Sequence, residues 1–171
     1  MRPVAAVALV AFIAIAGGAP AKGNDPYSSP EGKFKVRFPG TPKVATKTTK
    51  TDLGELAVTV ATFATSDGHV YMVSYTDFPA APKPENRAML FAGVRDGIKS
   101  DGKQVGADKV LEFGPDKLPE REFVVDKGKQ RIRVRAVLRD ARMYQIAAIG
   151  SVDFAGGKDA SLFLESFELT N

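Results

Sequence analysis

Apolar and polar residues alternate with a period of two along most of this chain, and one central segment switches to a period near four. Phe34, Val36 and Phe38 interleave with Lys33, Lys35 and Arg37, which predicts a half-buried strand that Pro39-Gly40-Thr41-Pro42 ends. Residues 44–51, VATKTTKT, are rich in Thr and Lys and read as an edge strand, because Thr favours extended backbone and Lys discourages pairing with other molecules. Asp52-Leu53-Gly54 supplies a turn into residues 56–65, where Leu56, Val58 and Val60 share a face. Ser66-Asp67-Gly68 is a tight-turn signal, and residues 70–78 return with apolar side chains on both faces. Four strands joined by short turns predict an antiparallel meander.

Three prolines within residues 79–84 make a rigid crossing loop. Residues 85–100 then space Leu90, Val94 and Ile98 by four, with Arg87 and Phe91 on the adjoining stripe, so a helix with one apolar face is predicted. Gly93 and Gly97 share one side of it, and the simplest reason for both is close packing on a sheet; Asp101-Gly102 is the stop. A second strand set follows at 109–113, 121–125, 131–139 and 143–150, the last apolar on both faces as a covered central strand is. Asp159 is a candidate N-cap for a closing helix over 160–166, which Phe163 and Phe167 dock on the sheet. The expected fold class is therefore α+β: an antiparallel sheet in two strand groups, a helix between them and a C-terminal helix. Strands apolar on both faces imply cover on two sides, an α/β/α sandwich.

The first 21 residues read as an address. One basic residue, Arg2, precedes an unbroken apolar run over 4–16, and Ala19-Pro20-Ala21 gives the small-x-small ending of a cleaved signal peptide. The run is about 13 residues, short of the roughly 20 that cross a bilayer core, so no integral span is expected after cleavage. The expected organisation is a signal peptide over 1–21, a polar flexible lead-in over 22–32 and a single domain over 33–171, periplasmic or secreted. The mature chain would carry 23 basic and 20 acidic residues, too mild an excess for nucleic-acid binding. Zero Cys removes disulfides and thiolate chemistry, and a single His, His69, makes a His-based triad or a His-rich metal site a poor reading, so no cofactor is expected.

Several segments, taken in order, resemble the Mog1/PsbP-like superfamily of small sandwiches. They are FKVRFPG, VYMVSYTDFP, ENRAMLFAGVRDGI, LPEREFVVDKGKQRIRVRAVLRDARMYQIAAIG and ASLFLESFEL, which together cover nearly all of the mature chain. The resemblance implies the α/β/α sandwich and a mostly non-enzymatic role. Its members include extrinsic photosystem II subunits, a small-GTPase-binding nuclear protein and bacterial envelope proteins, and the leader favours the envelope type. No catalytic motif carries over.

Candidate chemistry is sparse. His69 sits beside the Asp67-Gly68 turn and reads as a solvent-exposed turn residue. Asp67 and Asp77 fall at opposite ends of one strand, and Ser151 and Ser161 lack a G-x-S-x-G context. The feature above background is a basic row: residues 121–142 hold eight basic and three acidic residues. Arg131, Arg133 and Arg135 project from one side of a strand at about 6.8 Å intervals. Such a row can grip carboxylates or phosphates on an envelope protein or an anionic ligand. Its plainer reading is a solvated face whose heads pair with Glu112, Glu120 or Glu122. These observations give three expectations: an exported non-catalytic binding or scaffolding domain; a small-ligand or lipid carrier with a cleft between sheet and helix lined by Phe63, Tyr71, Tyr75 and Phe91; or a hydrolase using Asp or Glu with water.

Overall fold

A computed structural model describes residues 25–51, 54–100 and 102–171. The leader over 1–21, the start of the lead-in, Asp52-Leu53 and Asp101 lie outside the described residues.

The fold is α+β and mostly antiparallel sheet. Two strands come first, β1 (Tyr27–Ser29) and β2 (Phe34–Val36). A meander of β3 (Lys43–Thr51), β4 (Gly54–Ala64) and β5 (Val70–Asp77) follows. A 3-10 turn over Pro84–Asn86 leads into α1 (Arg87–Lys99). The second group is β6 (Lys103–Gln104), β7 (Lys109–Phe113), β8 (Leu118–Lys127), β9 (Gln130–Arg139) and β10 (Arg142–Gly150). The chain closes with α2 (Val152–Gly156), α3 (Lys158–Glu165) and β11 (Glu168–Leu169).

Among the described residues, eight strands form the main sheet in the order β3-β4-β5-β10-β9-β8-β6, with β7 also on β8. The two groups meet where β5 pairs with β10, in register from Arg142↔Asp77 to Ile149↔Val70. That junction explains why both strands are apolar on two sides. On one face Phe91, Val94 and Ile98 of α1 pack with Leu56, Val58, Met72, Phe123, Ile132 and Val134. On the other, Phe163 and Leu164 of α3 and Phe167 pack with Phe34, Val36, Tyr71, Val73, Tyr144 and Ile146. Burial of such side chains contributes roughly 1.5–3 kcal/mol each, and both layers draw on the same central strands.

Several expectations are corrected. The strand at 34–38 ends at Val36 and does not join the meander: β2 pairs with β1 and β11 in a separate three-stranded sheet. The reason lies past Val36, where the Arg37 N–H donates to Ser166 Oγ at 3.0 Å and Phe38 packs on Phe163. The described part of the lead-in carries β1, held by Tyr27 against Phe34 and Phe38. Gly93 and Gly97 are half-exposed, beside the buried stripe of α1 and not within it. Asp159 does not cap the closing helix, because that helix starts at Lys158 with Gly157 at the N-cap. An additional helix, α2, precedes it, and Ser151 is its cap, accepting from the Phe154 N–H at 3.2 Å. No helix among the described residues is long and apolar enough to cross a membrane.

Candidate functional site

Strict alternation along β9 sends Arg131, Arg133, Arg135 and Arg139 to the face that carries α3, while Ile132, Val134, Ala136 and Leu138 face α1. β8 places Glu120, Glu122 and Asp126 beside these arginines, through the register Glu122↔Arg135 and Asp126↔Arg131. The row is paired, as its plainer reading held, but it is half-buried and not a fully solvated face. Arg131 holds Asp126 through two bonds of 2.7 and 2.8 Å. Arg133 donates to Ser161 Oγ at 2.9 Å and reaches Glu122 at 3.3 Å. Arg135 Nε donates to Glu122 at 2.9 Å and lies 3.5 Å from Glu120. Lys109 Nζ of β7 closes the group at 2.9 Å from Glu122. Of the three acids named as partners, Glu120 and Glu122 take part; Glu112 stands by Lys117 instead.

The two glutamates differ although both are only 3% exposed. Burial opposes ionisation of Glu122, but the hydrogen bonds from Lys109 and Arg135 and the charge on Arg133 outweigh it and hold its pKa at about 2. Glu120 is pushed upward by burial, with Arg135 opposing and Glu122 adding to the rise, and its Oε1 is buried without a hydrogen-bond partner. The arginines therefore neutralise acids of their own sheet, and as an anion grip they have little left to offer.

His69 is also not where its turn suggested. Its ring stacks on Phe154 at 4.0 Å and 9°, its side chain is 23% exposed, and Nδ1 lies 3.2 Å from Asp67. The aromatic cleft expected from Phe63, Tyr71, Tyr75 and Phe91 does not form, because the sheet separates Phe91 from the other three. No cluster of three or more potential metal ligands occurs among the described residues.

Concave surface gathers instead at one end of the sheet. A cavity of ≈ 480 Å³ lies between the turn after β7 and the strand β11. Its apolar wall is Phe113, Leu118, Phe167 and Leu169, with Phe113 and Phe167 rings 5.6 Å apart. Arg139, Asp116 and Glu168 stand at its polar side. Arg139 is fixed there by donating to Thr170 O at 2.8 Å, and the turn is shaped by Gly114 and Lys117, both at positive φ. A second hollow of ≈ 250 Å³ shares Asp116 and Leu118 and adds Arg87, whose Nε is buried without a partner. A third, of ≈ 250 Å³, lies along the proline loop between Phe78 and Leu90. The sequence reading placed Phe167 as a docking residue of the closing helix and Phe113 and Arg139 at strand ends, with nothing to bring them together. What makes them a cavity is the return of β11 to β2, which has no local signal.

No protein-family model, curated protein or solved structure matches the chain.

Proposed function

We propose that this chain is an exported, non-catalytic binding domain of the cell envelope, built as a Mog1/PsbP-like sandwich, which takes a small amphiphilic molecule at the end of the sheet where the cavities gather. The observation that carries this reading is the ≈ 480 Å³ cavity with an apolar wall and a few converging polar groups. Its volume and lining suit a small ligand whose apolar body sits on Phe113, Leu118 and Phe167 and whose polar end meets Arg139. The carrier reading thus moves from a cleft between sheet and helix to the edge between the two sheets. The non-catalytic part is supported by the engagement of buried Glu122 with Lys109, Arg133 and Arg135. Export is supported by the apolar run and small-residue ending over 1–21.

The test is a titration of the full chain with 1-anilinonaphthalene-8-sulfonate, followed by competition with decanoate. Saturable fluorescence that decanoate displaces, and that Leu118→Gln weakens by about tenfold with an unchanged circular dichroism spectrum, is the expected result. Absence of saturable binding, or binding indifferent to Leu118→Gln, overturns the site. Export is read separately, from the intact mass in envelope or culture fractions, where loss of residues 1–21 is expected.

A further inference from the structure

The two lateral edges of the main sheet are built differently. One ends in β6, only two residues long, with β7 taking the other part of β8 and Pro119 near its start. That is an edge blunted against further pairing. The other ends in β3, nine residues in unbroken one-to-one register with β4 from Lys43↔Thr62 to Thr51↔Gly54. It contains no proline and no bulge, and β4 is its one strand neighbour among the described residues. Seven of its nine residues are exposed, and Thr49 and Thr51 are half-buried. A long, unbroken strand whose outer side carries no further strand among the described residues is a template for an added strand.

Its side chains decide which strand. Lys43 and Lys47 lie on the face of Leu56, Val58 and Val60, Lys50 lies on the opposite face, and β3 contains no acid. Lys50 is 3.9 Å from Glu55, with both side chains mostly in solvent. A second copy pairing antiparallel about Lys47 would set Lys47 directly against Lys47, which is unfavourable. An acidic strand meets the opposite situation, because it sets carboxylates beside a wholly basic edge.

We infer that β3 is a docking edge for an extended acidic segment of a partner protein, added antiparallel to the sheet. Numbering the partner residue opposite Lys47 as zero, carboxylates belong at −3 opposite Lys50, at zero, and at +4 opposite Lys43. Read in the partner's own direction this is an acid, a second acid three residues on, and a third four residues after that. The residue before the last acid meets Val44, which is 53% exposed and rewards an apolar contact. The lysines thus serve specificity by repelling copies of the chain while admitting the complement. This surface lies at the opposite lateral edge from β7 and β8, so it stands or falls independently of the small-molecule site.

The experiment uses the full chain and a fluorescein-labelled peptide, Ac-EVTEVTVE-amide, followed by anisotropy and by amide shifts of residues 43–51. The control replaces the three Glu of the peptide by Lys. Expected is binding of the acidic peptide at least about tenfold tighter than the control, weakening with salt, with shifts concentrated in β3. In a Lys43→Glu, Lys47→Glu, Lys50→Glu variant the preference should reverse. These side chains are solvent-facing, and an unchanged circular dichroism spectrum verifies the fold. Equal binding of both peptides, a preference unaltered by the triple substitution, shifts lying elsewhere, or dimerisation through β3 that excludes the acidic peptide would each overturn the assignment.

Discussion

Replacing Glu122 by Gln tests whether the arginine row is structural. Glu122 is 3% exposed and accepts from Lys109, Arg133 and Arg135, three cations arranged around one carboxylate. Its pKa falls from an ordinary 4.5 to about 2, which corresponds to roughly 3 kcal/mol of stability at neutral pH. Breaking a buried pair by removing one partner costs a similar ~3–5 kcal/mol, because the remaining charges are left uncompensated. For a domain of this size, 3 kcal/mol lowers Tm by roughly 6–12 °C.

The pH dependence makes the test specific. A carboxyl whose pKa is depressed in the fold contributes fully above its unfolded value, and the contribution is lost as pH falls from about 4.5 through about 2. Wild type and Glu122→Gln should therefore differ most at neutral pH and converge in acid, as read by urea unfolding between pH 2.5 and 7. Glu120, two residues away on the same strand, has the opposite sign. Its carboxyl binds a proton more readily folded than unfolded, so acidification through that higher range favours the fold. Glu120→Gln should raise Tm at pH 7, where wild type keeps a buried and under-partnered charge. A loss below about 1 kcal/mol for Glu122→Gln, or a loss that does not change with pH, would refute the structural reading of the row.

Three further outcomes are expected. Gly150→Ala places a Cβ 2.6 Å from His69 Cδ2 and 2.7 Å from Phe154 Cδ1, so the stacked pair must move at a cost of about 1–3 kcal/mol; in a Phe154→Ala background that cost should shrink in thermal unfolding. Tyr144→Phe removes a buried 2.8 Å bond to Gly32 O and should cost about 1 kcal/mol in urea unfolding, with no change in the circular dichroism spectrum. Amide hydrogen exchange should be fastest in β3 and slowest in β9 and β10, since β3 is exposed on its outer edge while β10 is buried along almost its whole length.

Much of the sheet was legible because alternation survives wherever one face is buried. Ile132, Val134 and Ala136 gave the core side of β9, and the two-sided apolar runs gave the central strands. The same alternation assigned the arginines to the other face, and Glu120 and Glu122 were among the acids within reach on a neighbouring segment. Which arginine meets which acid, and that Asp126 rather than Glu112 joins them, depends on strand register, which no local pattern encodes. β1 and β11 were missed for a related reason: three and two residues are too few to show a period, and both exist because β2 offers them an edge. α2 is a single turn whose cap, Ser151, sits at the end of a strand, where a serine carries little information. The cavity wall was hidden further still, since its residues come together only after β11 returns to β2.

The arrangement on the α3 face explains why a charged row belongs in a covered sheet. α3, Phe34 and Phe167 protect the side of the sheet around β5 and β10, and they do not extend across all of β8. An apolar β8–β9 surface there would present a greasy patch to solvent. Arginine stems over the strands, with heads locked on Glu122 and Asp126, close that gap with side chains alone. The lattice cross-links β7, β8 and β9, so this edge of the sheet is stiffened without a further helix. β3, at the other edge, pairs only with β4 among the described residues, and most of its length is exposed. Among the described residues the fold therefore concentrates its buried charge cross-links on one lateral half and leaves the other as an exposed edge strand, which is the asymmetry expected if the second half is completed by a partner.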